Sequence, residues 1–321
     1  MDDWRPTAGL EVLALRARLL ARVRAFFAAR GVLEVETPLL ARAGVTDVHL
    51  ASLETRIAGQ PTPYFLQTSP EYAMKRLLAA GSGDIYQVCK AFRDGEAGRH
   101  HNPEFTLIEW YRLGFGHEQL MDEVGALLGE LLGERLAAAP ERLSYAAAFA
   151  RVLGLDPFAA PLATLTAVAA ERLGADVASL GSARDTVLDL LMGALVGPAL
   201  GRGRVSFVDE YPASQAALAR LLPGAPPRAA RFEAYVEGQE LCNGFAELAD
   251  PAEQRRRFLA DLDQRRARGL PPVPIDERLL AALAAGLPDA AGVAVGFDRI
   301  VMLAAGATDI REVLPFPVDR A

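Results

Sequence analysis

Three glutamates in one short stretch, Glu233, Glu240 and Glu247, are the residues of this sequence best suited to chemistry. The glutamate–glycine pair at 237–238 has the composition of a tight hairpin turn. With that turn, Tyr235 pairs with Glu240, and Glu233 and Glu240 become diagonal neighbours on one face, roughly 7–8 Å apart. Like charges at that spacing repel, so we expect Mg²⁺ carrying substrate phosphates between them. The alternative is a pair of solvated glutamates on an exposed strand.

Residues suited to nucleotide chemistry lie in three other segments of the chain. Arg93 follows a predicted strand and Arg299 begins a predicted helix, where each guanidinium can bind phosphate oxygens with two donors. Phe105 offers a ring for adenine stacking, and Gly296 lets a ligand approach the backbone closely. Singly, such residues are more often surface ion pairs, core rings or turns. Their combination indicates nucleotide activation.

Composition excludes several classes of protein. The 321 residues carry a formal charge of −7, which argues against broad nucleic-acid binding but not against a local basic patch. The length allows one large domain or two ordinary ones. The two cysteines, Cys89 and Cys242, provide neither a disulfide framework nor a zinc spacing, and the four histidines form no metal motif. We find no uninterrupted apolar run long enough to span a bilayer. These features favour a reduced, cytoplasmic enzyme.

Periodicity predicts the elements that position these residues. Apolar residues at helical spacing predict a helix over 10–30 that Gly31 ends, and a second helix over 69–80 with Ser69 as N-cap and Pro70 at its first position. Alternation predicts a strand over 32–38 and paired strands over 85–92 and 105–111. Residues 113–203 read as mostly helical, residues 252–266 as another helix, and residues 293–299 as a strand that passes into a helix.

Taken together, the motifs resemble the class II aminoacyl-tRNA synthetases. Val35-Glu-Thr-Pro38 resembles motif 1 of that family, residues 92–111 resemble motif 2, and Gly296-Phe-Asp-Arg299 resembles motif 3. His101-Asn-Pro-Glu-Phe105 and Asn243-Gly-Phe-Ala-Glu247 are typical of the lysyl-tRNA synthetase branch, which counts against the class II asparagine synthetases. The resemblance covers nearly the whole chain. It implies an α+β fold in which one catalytic domain, 1–321, has an antiparallel sheet of about six or seven strands flanked by helices, with a helical insertion over 113–203.

The position of motif 1 narrows the resemblance further. It begins about thirty residues into the sequence, so we expect no N-terminal anticodon-binding OB domain. A lysine-type core of this kind is similar to the elongation factor P lysine ligases, as are segments 69–78, 109–112, 212–215 and 316–321. That similarity implies that ATP and (R)-β-lysine give an aminoacyl-adenylate and pyrophosphate. The aminoacyl group then passes to the ε-amine of a lysine of elongation factor P. Motif 1 implies a homodimer.

The resemblance also implies the site residues. Arg93 is expected to hold the α-phosphate and Arg299 the γ-phosphate, while Glu233 and Glu240 bind Mg²⁺ with ATP. Glu247, with Tyr111, is expected to receive the distal ammonium of lysine, because a buried ammonium needs a carboxylate partner. The other expected ATP-binding residues are Asp94, Gly95, Glu96, His101, Asn102, Phe105, Glu240, Leu241 and Gly296, and the other expected substrate-binding residues are Ser69, Pro70, Glu71, Asn243 and Ala294.

Two departures from the family pattern leave alternatives open. Ala294 stands where lysyl-tRNA synthetases usually have glycine, which is expected to alter the choice between α- and β-lysine unless the change is neutral. Asp94-Gly95 replaces an Asn-Glu pair, so one ATP contact falls to Glu96 or is lost. Two alternatives remain: a lysine-activating enzyme with another protein or a small molecule as acceptor, and a non-catalytic regulatory paralogue, which only Gly95 favours. Arg99, Arg112 and the arginines near Arg255 are candidate contacts for the acceptor protein, or else a solvated face.

Overall fold

A computed structural model describes residues 4–174, 176 and 183–321, and its largest feature is one broad sheet. The strands are β1 (Leu33–Glu34), β2 (Leu40–Ala41), β3 (Glu54–Thr55), β4 (Tyr64–Leu66), β5 (Ile85–Phe92), β6 (Glu104–Leu113), β7 (Glu141–Ser144), β8 (Ser206–Pro212), β9 (Leu221–Leu222), β10 (Arg228–Val236), β11 (Gln239–Ala246) and β12 (Ala290–Gly296). The helices are α1 (Leu10–Ala28), α2 (Glu71–Ala79), α3 (His117–Leu132), α4 (Tyr145–Leu153), α5 (Leu162–Leu173), α6 (Arg184–Leu191), α7 (Pro251–Ala267), α8 (Glu277–Gly286) and α9 (Phe297–Ala305).

The sheet has nine strands in the order β1-β5-β6-β12-β11-β10-β8-β7, with β9 also paired to β10. The strands from β5 to β8 in that order are antiparallel throughout, as the resemblance implies. The strand count exceeds the expected six or seven because short strands lie at the margins, two of them in parallel pairs, β1 with β5 and β7 with β8. A separate three-stranded sheet, β2-β4-β3, lies in the segment before α2.

The strongly periodic helices and strands are confirmed. Helix α1 ends just before Gly31, whose φ of +67° is the left-handed value that favours glycine. Two predictions differ from the structure. Helix α2 begins at Glu71, one residue later than expected, and the Ser69 hydroxyl both accepts from the Glu71 N–H at 3.1 Å and donates to Glu109. The predicted strand over 32–38 pairs only at Leu33–Glu34, with one further hydrogen bond from the Val35 N–H to the Tyr86 carbonyl oxygen at 2.9 Å, and Pro38 has no N–H with which to continue a ladder.

The segment 113–203 is helical for most of its described length, but it belongs to two cores. Helix α3 packs on the main core beside Trp110, whereas α4, α5 and α6 bury a second cluster around Tyr145 and Phe149. Strand β7, which was not expected, joins this segment to the sheet through β8. Residues 175 and 177–182 of the predicted helical segment lie outside the described residues.

A search of the described residues for membrane-spanning helices finds none that is both long enough and apolar enough.

Candidate active site

One row of paired residues crosses the centre of the sheet and forms the floor of a deep cleft. Glu233 on β10 pairs with Asn243 on β11, Asn243 pairs with Ala294 on β12, and Ala294 pairs with Glu109 on β6. Directly paired residues project to the same face of a sheet, so these side chains share one surface. The cleft above this row has a volume of about 1930 Å³.

The cleft brings together nearly every predicted site residue. Asp94 and Gly95 do not line it, because they lie in an exposed turn in which Gly95 has a φ of +77°. Glu96 does line it, with a carboxylate oxygen 3.7 Å from Nη1 of Arg93. The other predicted residues that line the cleft are Ser69, Pro70, Glu71, Arg93, His101, Asn102, Phe105, Tyr111, Glu233, Glu240, Leu241, Asn243, Glu247, Ala294, Gly296 and Arg299.

Two arginines define the end of the cleft suited to phosphates. The guanidinium of Arg93 lies 5.0 Å from the ring centre of half-buried Phe105, and its buried Nε has no hydrogen-bond partner in the described chain. Arg299 donates from Nη1 to the Glu240 carbonyl oxygen at 2.6 Å, and its Nη2 lies 2.7 Å from Nε2 of His101. Desolvation, and then the charge of Arg299, lower the pKa of His101, so the neutral ring can accept this hydrogen bond.

Asn102 has a structural role at this end of the cleft, because both polar groups of its side chain bind the protein backbone. Its Nδ2 donates to the Glu104 carbonyl oxygen at 2.6 Å, and its Oδ1 accepts from the Val318 N–H at 3.0 Å. The side chain is buried and occupied on both sides. It therefore fixes the turn that precedes β6 and fastens the C-terminal segment against it.

The glutamate hairpin forms as predicted, with one irregularity. Glu237 and Gly238 have φ values of +50° and +77°, and Tyr235 pairs with Glu240. The register then shifts, so that Ala234 faces Cys242 and Leu241 becomes the extra residue of a bulge. This bulge keeps Glu233, Glu240 and Asn243 on the cleft side, although the odd spacing of Glu240 and Asn243 would otherwise place them on opposite faces.

The charges of the hairpin are partly balanced inside the protein. Buried Glu233 accepts from Nη2 of Arg231 at 2.6 Å and from the Tyr235 hydroxyl at 2.5 Å. Glu240 is exposed to the cleft, and its pKa is raised by desolvation and then by the charge of Glu233. Mg²⁺ is commonly bound by one or two carboxylates together with phosphates and water. These two side chains fit that pattern, although no group of three or more His, Cys, Asp or Glu residues that could hold a metal occurs in the described part of the chain.

Behind the other end of the cleft lies a lysine that the sequence analysis did not single out. Lys75, on α2, is buried, and its Nζ lies 2.6 Å from Oε1 of Glu71 and 2.6 Å from Oε2 of Glu247. Glu247, which the sequence analysis predicts to receive the distal ammonium of the substrate, thus already has one ammonium partner within the protein. The available signal was the spacing of Glu71 and Lys75, four residues apart on a predicted helix.

Glu109 is the buried carboxylate at this end without a cationic partner among the described residues. Ser69 Oγ donates to its Oε2 at 2.7 Å, and the Tyr111 hydroxyl donates to its Oε1 at 2.8 Å. Burial, followed by the charge of Glu71, raises the pKa of Glu109 to about 8. The sequence analysis placed Glu109 inside motif 2 but gave it no role. Strand alternation from Phe105 was the signal, since residues 105, 107, 109 and 111 share a face.

Gly292 is a further site residue that the sequence analysis missed. A Cβ at this position would overlap the Tyr111 ring and lie 2.5 Å from Oε1 of Glu247. The absence of a side chain therefore allows both groups to lie flat against β12. Ala294, two residues along, places the next methyl group on the same floor, between Glu109 and Asn243.

Two of the arginines proposed as contacts for the acceptor protein already form ion pairs within this chain. Arg112 is 13 % exposed and lies 3.2 Å from Asp84 and 3.5 Å from Glu123, so it belongs to an internal ion pair network. Arg255 forms an exposed pair with Glu277 at 2.5 Å. Arg99 is exposed beside the turn that precedes β6.

Comparison with known proteins gives a consistent result. A sequence profile described as tRNA synthetases class II (D, K and N) matches residues 2–320. The protein named elongation factor P--(R)-beta-lysine ligase from Vibrio vulnificus is 52% identical over 320 residues, which cover 98% of each chain. Proteins of the same name from Klebsiella pneumoniae subsp. pneumoniae (51% over 322 residues, 99% of this chain and 98% of the relative) and Vibrio cholerae (51% over 324 residues, 100% and 99%) are similar to the same extent.

Proposed function

The chain belongs to the class II tRNA synthetases (D, K and N), and we propose that it uses ATP to join (R)-β-lysine to a lysine of elongation factor P. The names of relatives that are about half identical over their full length support this reaction. The cleft adds support of its own, because it combines two phosphate-directed arginines with a carboxylate-rich opposite end.

The charge balance at the opposite end is the observation that carries the proposal. Glu71, Glu109 and Glu247 contribute three negative charges when all are ionised, and Lys75 contributes one positive charge, so two negative charges are left without a partner cation. A buried excess of two negative charges is costly, and the raised pKa of Glu109, about 8, means that this carboxyl keeps a proton until cations balance the charge. Lysine and β-lysine each bring two ammonium groups, whereas an ordinary amino acid brings one. The pocket therefore suits a diamino acid.

The residues at the phosphate end support adenylate formation. A carboxylate oxygen of the amino acid forms a bond to the α-phosphorus of ATP, and the bond to the bridging oxygen breaks, which releases pyrophosphate. Arg93 and Arg299 would stabilise the charge that develops on the phosphates. Glu233 and Glu240 would hold Mg²⁺, which supplies further positive charge to the phosphates when bound. No covalent protein intermediate is required.

The second step joins the amino acid to the acceptor. A neutral lysine ε-amine of elongation factor P attacks the carbonyl carbon of the adenylate, the bond to AMP breaks, and one proton leaves the nitrogen. In this proposal, the residues that line the cleft hold the adenylate at both ends. Only the attacking amine then has to be positioned, which lowers the entropic cost of this step.

Ala294 is the residue that we propose to favour β-lysine over α-lysine. Its methyl group lies on the floor beside Glu109, where the amino group nearest the reacting carboxylate has to fit. Moving that amino group from the α-carbon to the β-carbon changes its distance from the strand residues that form the floor of the cleft. A methylene-sized change in a pocket is worth about 1–3 kcal/mol of discrimination. Ala294→Gly is therefore expected to improve the use of α-lysine by about tenfold or more, measured as kcat/KM for adenylate formation with each isomer.

We also propose that the enzyme is a homodimer built on motif 1. Leu33, Leu39 and Leu40 lie near that motif and are exposed by 56%, 38% and 38%. Leu10, at the start of α1, is 80% exposed. Exposed apolar side chains such as these favour burial against a second copy.

A direct assay with the proposed acceptor tests this function. Purified protein is incubated with ATP, Mg²⁺, elongation factor P and either (R)-β-lysine or α-lysine, and the acceptor is weighed by intact mass spectrometry. A gain of one lysyl residue, larger with β-lysine, is expected. Pyrophosphate exchange without a mass gain would mean that the acceptor is another molecule. Neither signal would indicate a non-catalytic paralogue that lost activity with the Asp94-Gly95 change.

A further inference from the structure

The chain uses lysine very rarely, which makes the position of Lys75 informative. Of its 34 basic residues only two are lysines, Lys75 and Lys90, and the rest are arginines. Lys90 is half exposed on β5 and pairs with Glu104 at 3.3 Å. Lys75 is 1% exposed and does not line the cleft itself, but lies behind its substrate end, against two carboxylates that do line it.

The geometry around Lys75 explains why an ammonium is required there. Nζ reaches Glu71 one helical turn earlier on α2 and Glu247 just after β11, each at 2.6 Å. The Lys75 ammonium therefore links α2 to the end of β11, which is distant from it in sequence. A guanidinium is larger and planar and presents its donors in a fixed fork, so it would not fit the same position between the two carboxylates.

The charge on Lys75 is secure in this environment. Burial acts to lower the pKa of Lys75, but the Glu247 and Glu71 carboxylates outweigh it and raise the pKa above its ordinary value. The ammonium therefore remains protonated throughout the physiological range. Glu109, on β6, faces the same pocket and has only the Ser69 and Tyr111 hydroxyls as partners among the described residues.

Resting on the proposed function, we infer that Lys75 is a built-in counter-ion that sets how many ammonium groups the substrate pocket accepts. It neutralises one of three carboxylates and holds Glu71 and Glu247 in fixed orientations. The remaining two negative charges then match a substrate with two ammonium groups. Lys75 acts through these carboxylates and does not touch the reacting atoms, so it is a positioning residue for substrate selection.

Removing the ammonium while keeping the volume is the first test. Lys75→Met fills the same space without charge, leaving three carboxylates facing one another. We expect its KM for (R)-β-lysine in pyrophosphate exchange to rise at least about thirtyfold, in line with the cost of breaking a buried ion pair, with the KM for ATP changed less than twofold. Lys75→Arg is expected to show the same pattern, because charge alone does not restore the geometry. Lys90→Met is the matched control and is expected to behave as the unaltered protein.

Chemical rescue separates a counter-ion from a packing residue. Lys75→Ala deletes three methylene groups and the ammonium, which n-propylammonium can replace. Added n-propylammonium is expected to lower the KM of Lys75→Ala for β-lysine at least about tenfold, and 1-propanol, which is similar in size but uncharged, is expected to have no effect. Equal rescue by both compounds would overturn the inference. So would a Lys75→Met protein with an unchanged KM.

Failure of the inference about Lys75 can be distinguished from failure of the proposed function. If the unaltered protein shows no exchange with either lysine isomer, the proposed function fails. Binding of β-lysine by calorimetry to the unaltered protein, to Lys75→Met and to Lys90→Met then still tests the counter-ion. Loss of β-lysine binding in Lys75→Met alone supports the inference, and equal binding, or no binding, in all three overturns it. If Lys75→Ala does not fold, the KM values of Lys75→Met decide.

Discussion

At the scale of single residues, three glutamates in one pocket have different environments. Glu71 and Glu247 share the ammonium of Lys75, whereas Glu109 is held by two hydroxyls. Burial raises the pKa of Glu247 to about 7, where the Lys75 ammonium opposes the rise, and the pKa of Glu109 to about 8, where only hydroxyl donors oppose it. The empty pocket therefore keeps a proton on Glu109 at neutral pH and must release it when an ammonium group binds.

This proton release predicts a pH-dependent affinity. Below pH 8 the free pocket carries the proton and the complex does not, so binding becomes tighter as pH rises and levels off above the pKa of Glu109. The Kd for β-lysine is expected to fall about tenfold between pH 6 and 7. Calorimetry in two buffers with different ionisation enthalpies should detect about one proton released at pH 6.5. Glu109→Gln should bind weakly, with a smaller dependence that reflects Glu247, whose pKa is about 7, and a flat profile in the unaltered protein would contradict the assignment.

At the scale of secondary-structure elements, α1 is tied to the phosphate end of the cleft by one arginine. Arg16 Nη1 lies 2.5 Å from Oδ1 of Asp298 on α9, and its Nη2 donates to the Thr106 hydroxyl on β6 at 2.7 Å. The other oxygen of Asp298 accepts from the Thr106 N–H at 2.6 Å. The buried Asp298 carboxylate, next to Arg299 in sequence, thus binds both α1 and Thr106, which is next to Phe105 in sequence.

Breaking this connection should weaken both stability and nucleotide binding. Arg16→Gln leaves Asp298, which is 2% exposed, without its cation, and losing one partner of a buried pair costs about 3 kcal/mol or more. Denaturant unfolding should report that loss, and the KM for ATP should rise more than the KM for β-lysine. Arg18→Gln, at an exposed position of the same helix, is the control. Equal changes in both KM values would argue against a specific link to the phosphate end.

Strand β12 gives a second prediction at this scale. The missing side chain of Gly292 lets Tyr111 and Glu247 lie against the strand, so Gly292→Ala should displace both. We expect at least about a hundredfold loss of kcat/KM for β-lysine, as for misplaced substrate-positioning groups, with ATP binding retained. Ala291→Gly, one residue earlier on the opposite face, is a control for general weakening of the strand. Activity of Gly292→Ala near that of the unaltered protein would show that the pocket can adjust.

At the scale of the whole molecule, the exposed leucines near motif 1 remain to be explained. A 34.4 kDa chain that dimerises through this surface should have twice that mass in solution. Leu33→Asp with Leu40→Asp is expected to shift the species to the single-chain mass in light scattering, because charge at an apolar interface is costly. Leu221→Asp with Leu259→Asp, two exposed leucines elsewhere, should leave the mass unchanged. A single-chain mass before any substitution would contradict the proposed dimer.

The sequence determined the features that depend on local pattern. Helix α1, strands β5 and β6 and the turn at Glu237 and Gly238 follow from periodicity and turn chemistry, which act over a few residues. The motifs indicated the family, and the predicted site residues lie around one cleft, apart from Asp94 and Gly95. The edge strands were not predictable, because strands of two to four residues acquire their structure only from the neighbour with which they pair.

The tertiary structure alone decided which charges meet. The fold brings Lys75, 172 positions earlier, to 2.6 Å from Glu247, a contact that the sequence did not indicate. Glu233 likewise has Arg231 as its partner, and the bulge at Leu241 decides that Glu240 shares its face. Sequence spacing fixes what a residue meets on its own helix or strand. Contacts between elements depend on packing and register, and these set the burial, pairing and protonation of each carboxylate in the site.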